Sequence, residues 1–186
     1  MGQVPALLED GRILTENAAI LLRLADLRPE SGMAPAAGTR ERYQMYGWLS
    51  WLASSFHVAH TPMFAPQRFV EDPAAHAELG ARALRNVGEE LAVIDRHLEG
   101  RQHILLDHQN LLDAYVFAMA RWTESKLDHQ RDFPEVARFL AAMREDEGVR
   151  SALAIDEGEK SSGGNLLGHV AFDALVSADG QLLAAP

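Results

Sequence analysis

Between positions 72 and 100 the apolar residues recur three and four apart. Ala77, Gly80, Leu84, Val87, Leu91, Ile94 and Leu98 form one stripe, the spacing of a long amphipathic helix. Asp72 and Pro73 supply an N-cap and first-turn pair ahead of it, and Gly100 stops it. The same period appears on both sides. Thr39 is placed to cap a helix carrying Tyr43, Tyr46, Leu49, Leu52 and Phe56, with Thr61 and Pro62 marking its end or a kink. Asn110 opens a further helix, another starts near Pro134 and carries Phe139, Leu140 and Met143, and a short last one is expected around residues 149–153. Five helical segments with short connections predict an all-α bundle over residues 39–155, large enough for its own core.

The beginning of the chain breaks this pattern. Residues 4–8 and 12–14 are short apolar-rich runs separated by Glu9, Asp10 and Gly11, and an Asp-Gly pair supplies the positive φ angles of a tight hairpin turn. Thr15 precedes Glu16, Asn17 and an alanine-rich apolar stretch, so its hydroxyl is expected to cap a helix over about residues 16–25. Two strands and one helix cannot bury both faces of a sheet or satisfy its open edges, so this unit calls for further neighbours. Residues 26–38 contain Pro29, Pro35 and several glycine or serine breakers and read as a linker. The chain thus divides into a first part at 1–28, a linker at 29–38, a helical domain at 39–155 and an extension at 156–186. In the extension, DEGEKSSGGN reads as a flexible linker. LLGHVAFDALV reads as a short amphipathic helix or strand covering apolar surface, or as a disordered terminus.

Charge narrows the partners. Seventeen basic against 27 acidic residues give a net charge of −10, which repels phosphate backbones and anionic lipid, so neither nucleic acid nor a membrane surface is an expected partner. The absence of cysteine excludes disulfides, thiolate zinc sites and a thiol nucleophile within this chain, and is compatible with a reducing compartment. No apolar run approaches the roughly 18 to 20 residues of a membrane span, and no charged leader precedes the first apolar run. The expectation is a soluble cytoplasmic protein.

Four short patterns carry candidate chemistry. Pro5, one residue into a strand, removes a backbone donor and is tolerated only at an edge or as a cis bond that exposes the amide and carbonyl of Val4, and an exposed peptide edge can pair with a peptide ligand. Glu16 and Asn17 stand at a helix N-terminus, where free amides favour a carboxylate and a glutamate accepts from an ammonium; plain helix capping fits the same spacing. Asn110 and Asp113 form a capping box with a structural role, since an acid three residues after the cap satisfies orphan amides reciprocally. His57 and His60 are three apart, but no third donor accompanies them and no metal site is expected. Glu89 and Glu90 read as a solvated face of the long helix. With no glycine-rich phosphate loop and no Ser, His and Asp arrangement, no catalytic residue is assigned.

The succession G-Q-V-P-A-L, D-G, L-T-E-N-A-A-I-L, a proline-rich linker and then helices resembles the glutathione S-transferase family over residues 2 to 155, and is most similar to bacterial, beta-like members. The resemblance implies a mainly α fold, in which a truncated thioredoxin-like remnant of hairpin plus helix precedes the family's all-α C-terminal bundle. It also implies that Pro5 is cis, that Val4 holds the cysteinyl backbone of glutathione, and that Glu16 and Asn17 meet the γ-glutamyl end, although the family usually has Ser or Thr where Asn17 stands. The cap at Asn110 is likewise Ser or Thr in the family. His57 aligns with a histidine near the family's substrate cleft, with Val58 where lysine is frequent. Trp122 matches a cleft tryptophan, while its periodicity alone reads as core.

The implied activity is conjugation of reduced glutathione, as co-substrate with no other cofactor, to a small electrophile by a homodimer. In the family the first strand and its turn carry the Tyr, Ser or Cys that stabilises the thiolate, and these residues include no counterpart, so conjugation is expected to be impaired. The alternative is a non-catalytic dimerising or ligand-binding protein on the same helical fold.

Overall fold

The structure, a computed structural model, describes residues 4–157, and the readings made for 158–186 lie outside the described residues. The chain enters through β1 (Ala6–Glu9) and β2 (Arg12–Thr15), an antiparallel pair in the register Ala6↔Thr15, Leu7↔Leu14, Leu8↔Ile13 and Glu9↔Arg12. Asp10 and Gly11 turn between them at φ 48° and 71°, the left-handed pair that the Asp-Gly sequence favours. α1 (Asn17–Leu27) follows, tied back to the hairpin by a two-point contact from Arg23 to Glu9 at 2.9 and 2.6 Å.

One expectation fails at this junction. Thr15 is the last residue of the ladder and does not cap α1; Glu16 holds the cap position at φ 72°, without a side-chain cap bond. The cause is the missing connection: β2 runs straight into α1, so one left-handed residue must reverse the chain while Thr15 stays in the ladder. α1 also extends to Leu27, into the expected linker. The remainder of that segment is pinned. Met33 O accepts from Leu111 N at 3.0 Å, and Gly32 O lies 3.0 Å from His108 Nε2. Arg42, buried, reaches Asp26 at 2.8 Å, Pro35 O at 3.0 Å and the Tyr46 hydroxyl at 3.1 Å.

α2 (Arg40–Trp51) starts at Thr39, whose Oγ1 accepts from Arg42 N at 3.2 Å. It continues through a π turn at Leu52–Phe56 into α3 (His57–Phe64). Pro62 lies inside α3, two residues before its end at Phe64, and the irregularity of the run falls earlier, at Leu52–Phe56. Met45, Leu49, Leu52 and Phe56 face the core, whereas Tyr43 and Tyr46, expected on the apolar face, are exposed and meet edge to face with centroids 5.7 Å apart.

Asp72 accepts from Ala74 N at 2.9 Å and opens the turn that leads into α4 (His76–Leu98). Its buried line runs Ala83, Val87, Leu91, Ile94 and Leu98, so Ala77 at the start of the expected stripe stays exposed. Glu90, three residues after Val87 and four before Ile94, flanks this line. It is half-buried rather than fully solvated, and burial together with the Glu89 carboxylate pushes its carboxyl above the ordinary range.

α5 (Leu111–Ala120) is the central helix, with Leu111, Leu112, Val116, Phe117 and Met119 all buried. α6 (His129–Asp132) is a single turn that the sequence pattern does not announce. α7 (Pro134–Met143) buries Val136, Phe139, Leu140 and Met143, and its free N-terminal amides are met from α4: Asp95 accepts from Glu135 N and Val136 N at 2.8 and 2.9 Å. α8 (Glu147–Asp156) is longer than residues 149–153 because Asp146 caps it, accepting from Val149 N at 2.9 Å.

Beneath α5 lies a buried polar knot. Asn110 accepts from Leu112 N at 3.1 Å, while Asp113 accepts from Asn110 N at 2.9 Å, from Asn110 Nδ2 at 2.9 Å and from Ile104 N at 2.8 Å, with His103 Nδ1 3.1 Å away. Both side chains are fully buried. The Asp113 carboxylate therefore closes the cap of α5 and fastens the preceding loop with the same two oxygens.

Candidate functional site

The hairpin and α1 meet the bundle at a cavity of about 170 Å³. Its first wall comes from one short stretch of sequence: Val4, Pro5, Thr15, Glu16 and Asn17. Val4 lies beyond the last ladder pair, Ala6↔Thr15, and is 93% exposed, so its main chain is open to an incoming ligand. The Val4–Pro5 peptide bond is cis. Glu16 and Asn17 stand where α1 begins, Glu16 at positive φ, and the first amides of the helix have no intrahelical partner there.

The opposite wall is assembled by packing. It consists of Ala53 from the π turn, His57 from the first turn of α3 and Tyr115 from α5. Tyr115 is nearly buried. Burial pushes its phenol above the ordinary value, the facing Asn17 side chain pulls it back in part, and the Glu16 carboxylate adds to the rise. A neutral phenol set against Asn17 and Glu16 is a hydrogen-bond donor at the cavity wall. The sequence pattern had not marked Tyr115, because α5 is apolar nearly all round and a tyrosine there reads as core. Its hydroxyl, which needs a partner when buried, was the available signal.

Val4 and His57 also border a second cavity, of about 810 Å³, with Phe64, Arg68 and Trp122 among its other walls. Trp122 sits in the turn Arg121–Thr123 that follows α5. Its ring meets Phe64 edge-on at 5.5 Å and lies 5.8 Å from His57, and the residue also packs against the core. Val58 is exposed, leaving Arg68 as the cation on this wall. The structure thus gathers Val4, Pro5, Glu16, Asn17 and His57 around the smaller cavity and places Trp122 in the adjoining one. Asn110 and Asp113 lie apart, in the α5 knot. Among the described residues no three His, Cys, Asp or Glu side chains converge as a metal ion requires.

A hairpin and helix seated on an all-α bundle meet it at a seam with two adjoining cavities, which share Val4 and His57. No protein-family model matches the chain. Among curated proteins, glutathione S-transferase GstA of Escherichia coli O157:H7 is 33% identical over 157 residues, spanning 83% of this chain and 74% of that protein. Among solved structures, a sphingomonad glutathione S-transferase complexed with glutathione aligns with a TM-score of 0.76 at 36% identity, over 85% of this chain and 76% of that one. The beta-class enzyme of Sphingomonas chungbukensis aligns at 0.75 and 34%, over 84% and 75%. The chain belongs to the glutathione S-transferase family and resembles its bacterial beta-class members. The mainly helical fold with an N-terminal hairpin and helix is the one the sequence led us to expect.

Proposed function

We propose that the smaller cavity binds glutathione and the larger one the electrophile to which its sulfur is joined. The cysteinyl main chain pairs with Val4 ahead of Pro5 as an added strand does, the γ-glutamyl carboxylate meets the first amides of α1, and Glu16 accepts from the ammonium. Asn17 and Tyr115 complete that end with neutral donors. His57 and Val4, shared by both cavities, mark where the thiol faces the electrophile, whose ring rests against Phe64 and Trp122. That shared boundary is the observation that carries the reading. Glutathione complexes among the similar solved structures support it. In this reading residues 1–28 form the glutathione part, 29–38 the connection and 39–155 the electrophile part. The protein works as a cytoplasmic homodimer, and a second copy covers exposed side chains such as Tyr43 on α2 and Val93 on α4.

Binding and turnover are separable. The described lining of the smaller cavity contains no serine or cysteine, and its tyrosine, Tyr115, comes from α5 of the bundle and not from a first strand and its turn, which favours as second reading a protein that binds glutathione with weak conjugation or none. Retention on immobilised glutathione tests the first half, and thioether formation from an aryl halide tests the second. Retention with turnover supports the transferase, retention without turnover the binding protein, and no retention refutes both. Asn17→Ala should weaken retention about tenfold, the worth of one hydrogen bond in a partly buried site.

A further inference from the structure

His60 is fully buried, and its imidazole bonds on one side only. Nδ1 lies 2.7 Å from the carbonyl oxygen of Phe56, one turn back along the helix. A carbonyl oxygen accepts and cannot donate, so Nδ1 carries the ring proton and Nε2 is left as a bare lone pair. Burial, with some repulsion from His57, depresses the pKa of the ring despite the Phe56 bond and keeps it neutral. Nε2 has no hydrogen-bond partner among the described residues. Its surroundings are aromatic: Phe56 edge-on at 4.8 Å, Trp122 edge-on at 5.3 Å and Phe64 parallel at 6.5 Å. A phenylalanine would fill this place without leaving an acceptor orphaned, so the histidine destabilises the empty fold unless a donor reaches it.

His60 borders the larger cavity together with Phe64 and Trp122. Phe64, the last residue of α3, stands parallel to its ring with centroids 6.5 Å apart and is 58% exposed, and exposed side chains change rotamer on a fast timescale. We propose that His60 Nε2 is the specificity-determining acceptor of this cavity, taking a hydrogen bond from a hydroxyl or N–H group on an aromatic ligand. The cavity then selects hydroxylated or N–H-bearing aromatics over their methylated counterparts. This deepens the reading of the larger cavity as the electrophile site, and its test needs no glutathione.

The probes are 2-naphthol and 2-methoxynaphthalene, both uncharged near neutral pH; the ether exchanges the hydroxyl donor for a methoxy group, and the His60→Phe comparison separates the effect of the added methyl from that of the lost donor. Calorimetric titration of the full chain should show naphthol binding about tenfold more tightly, the discrimination of one hydrogen bond to a buried acceptor. His60→Phe should hold both probes with affinities within about twofold of each other, and keep that of the ether. Because that variant replaces a core residue, a second measurement uses the native chain with 15N-labelled histidine: naphthol should shift the His60 Nε2 resonance and the ether should not. Equal binding of the two probes, a preference that survives in His60→Phe, or an Nε2 signal indifferent to naphthol would each overturn the proposal. Retention on immobilised glutathione is scored separately, so failure of the glutathione reading and failure of this one are told apart.

Discussion

Replacing Asp113 by alanine should destabilise the protein by more than the loss of a helix cap. A cap substitution costs about 1 kcal/mol, rising to about 2 in unfavourable cases. Asp113 does more than cap α5. Its oxygens receive the backbone amides of Ile104 and Asn110 and the Asn110 side-chain amide at 2.8 to 2.9 Å, in a site with no exposure. Each buried donor left without a partner costs about 1–3 kcal/mol, and two of these are main-chain groups that cannot turn to water without moving the loop. Water entering the space left by the carboxylate recovers part of this, so the sum comes to about 3–5 kcal/mol. Asp113→Asn keeps one acceptor oxygen and should fall about midway, whereas Asn110→Ala should cost about 1 kcal/mol because its oxygen serves Leu112 N at the cap. Urea unfolding followed by tryptophan fluorescence measures all three, provided the slope stays constant. If Asp113→Ala costs no more than Asn110→Ala, the reach to Ile104 contributes nothing and the argument fails.

Removing the acceptor at the start of α7 with Asp95→Ala strands two amides in a half-buried place and should cost about 2 kcal/mol in the same unfolding measurement; a change under about 0.5 would show that water replaces it freely. Asp26→Ala leaves the buried Arg42 guanidinium with only neutral acceptors; since Asp26 itself is 49% exposed, the expected loss is about 2 kcal/mol, between the surface and buried limits for ion pairs. Burial depresses the pKa of both His60 and His129. The unfolded chain takes up protons at these groups near pH 6.5 while the folded chain refuses them, so stability falls as pH drops below about 6.5, by at most about 1.4 kcal/mol per pH unit for each group. His60→Phe should flatten the dependence of the urea midpoint on pH between about 6.5 and 5, and an unchanged slope would contradict the assignment.

What the sequence made legible was what chain neighbours decide. Thr39, Asp72 and Asn110 each stand within three residues of the amide they serve, and the Val87 to Leu98 line of α4 needs no knowledge of its partner, whereas the first turns of the stripe do not match the buried line, which begins at Ala83. The wall formed by Val4, Pro5, Glu16 and Asn17 was grouped through the resemblance, and in the structure one hairpin brings its ends together. The facing wall was only partly readable. His57 came through resemblance, but Ala53 and Tyr115 reach the cavity by the packing of distant helices, and Tyr115 lay in a helix without a polar face to give contrast. Asp95 was invisible because its amides lie 40 and 41 residues away. The error at Thr15 has the opposite origin: the local capping rule was sound, but the sheet needed that residue more.

The π turn explains how one helical run serves both core and cavity. Leu52, Phe56 and His60 are all buried at successive four-residue steps. A regular α-helix advances about 100° per residue, so two such steps rotate the face by about 80°, a drift that the Ala83, Val87 and Leu91 line of α4 also spans. The wider turn at Leu52–Phe56 advances less per residue and absorbs that drift. Ala53 and His57, each one residue after a buried position, are thereby held on a common neighbouring face toward the hairpin. The same adjustment keeps the His60 ring among Phe56, Phe64 and Trp122 while His57 stands at the boundary of the two cavities. Core packing and the geometry of the two cavities therefore meet at a single local widening of the helix.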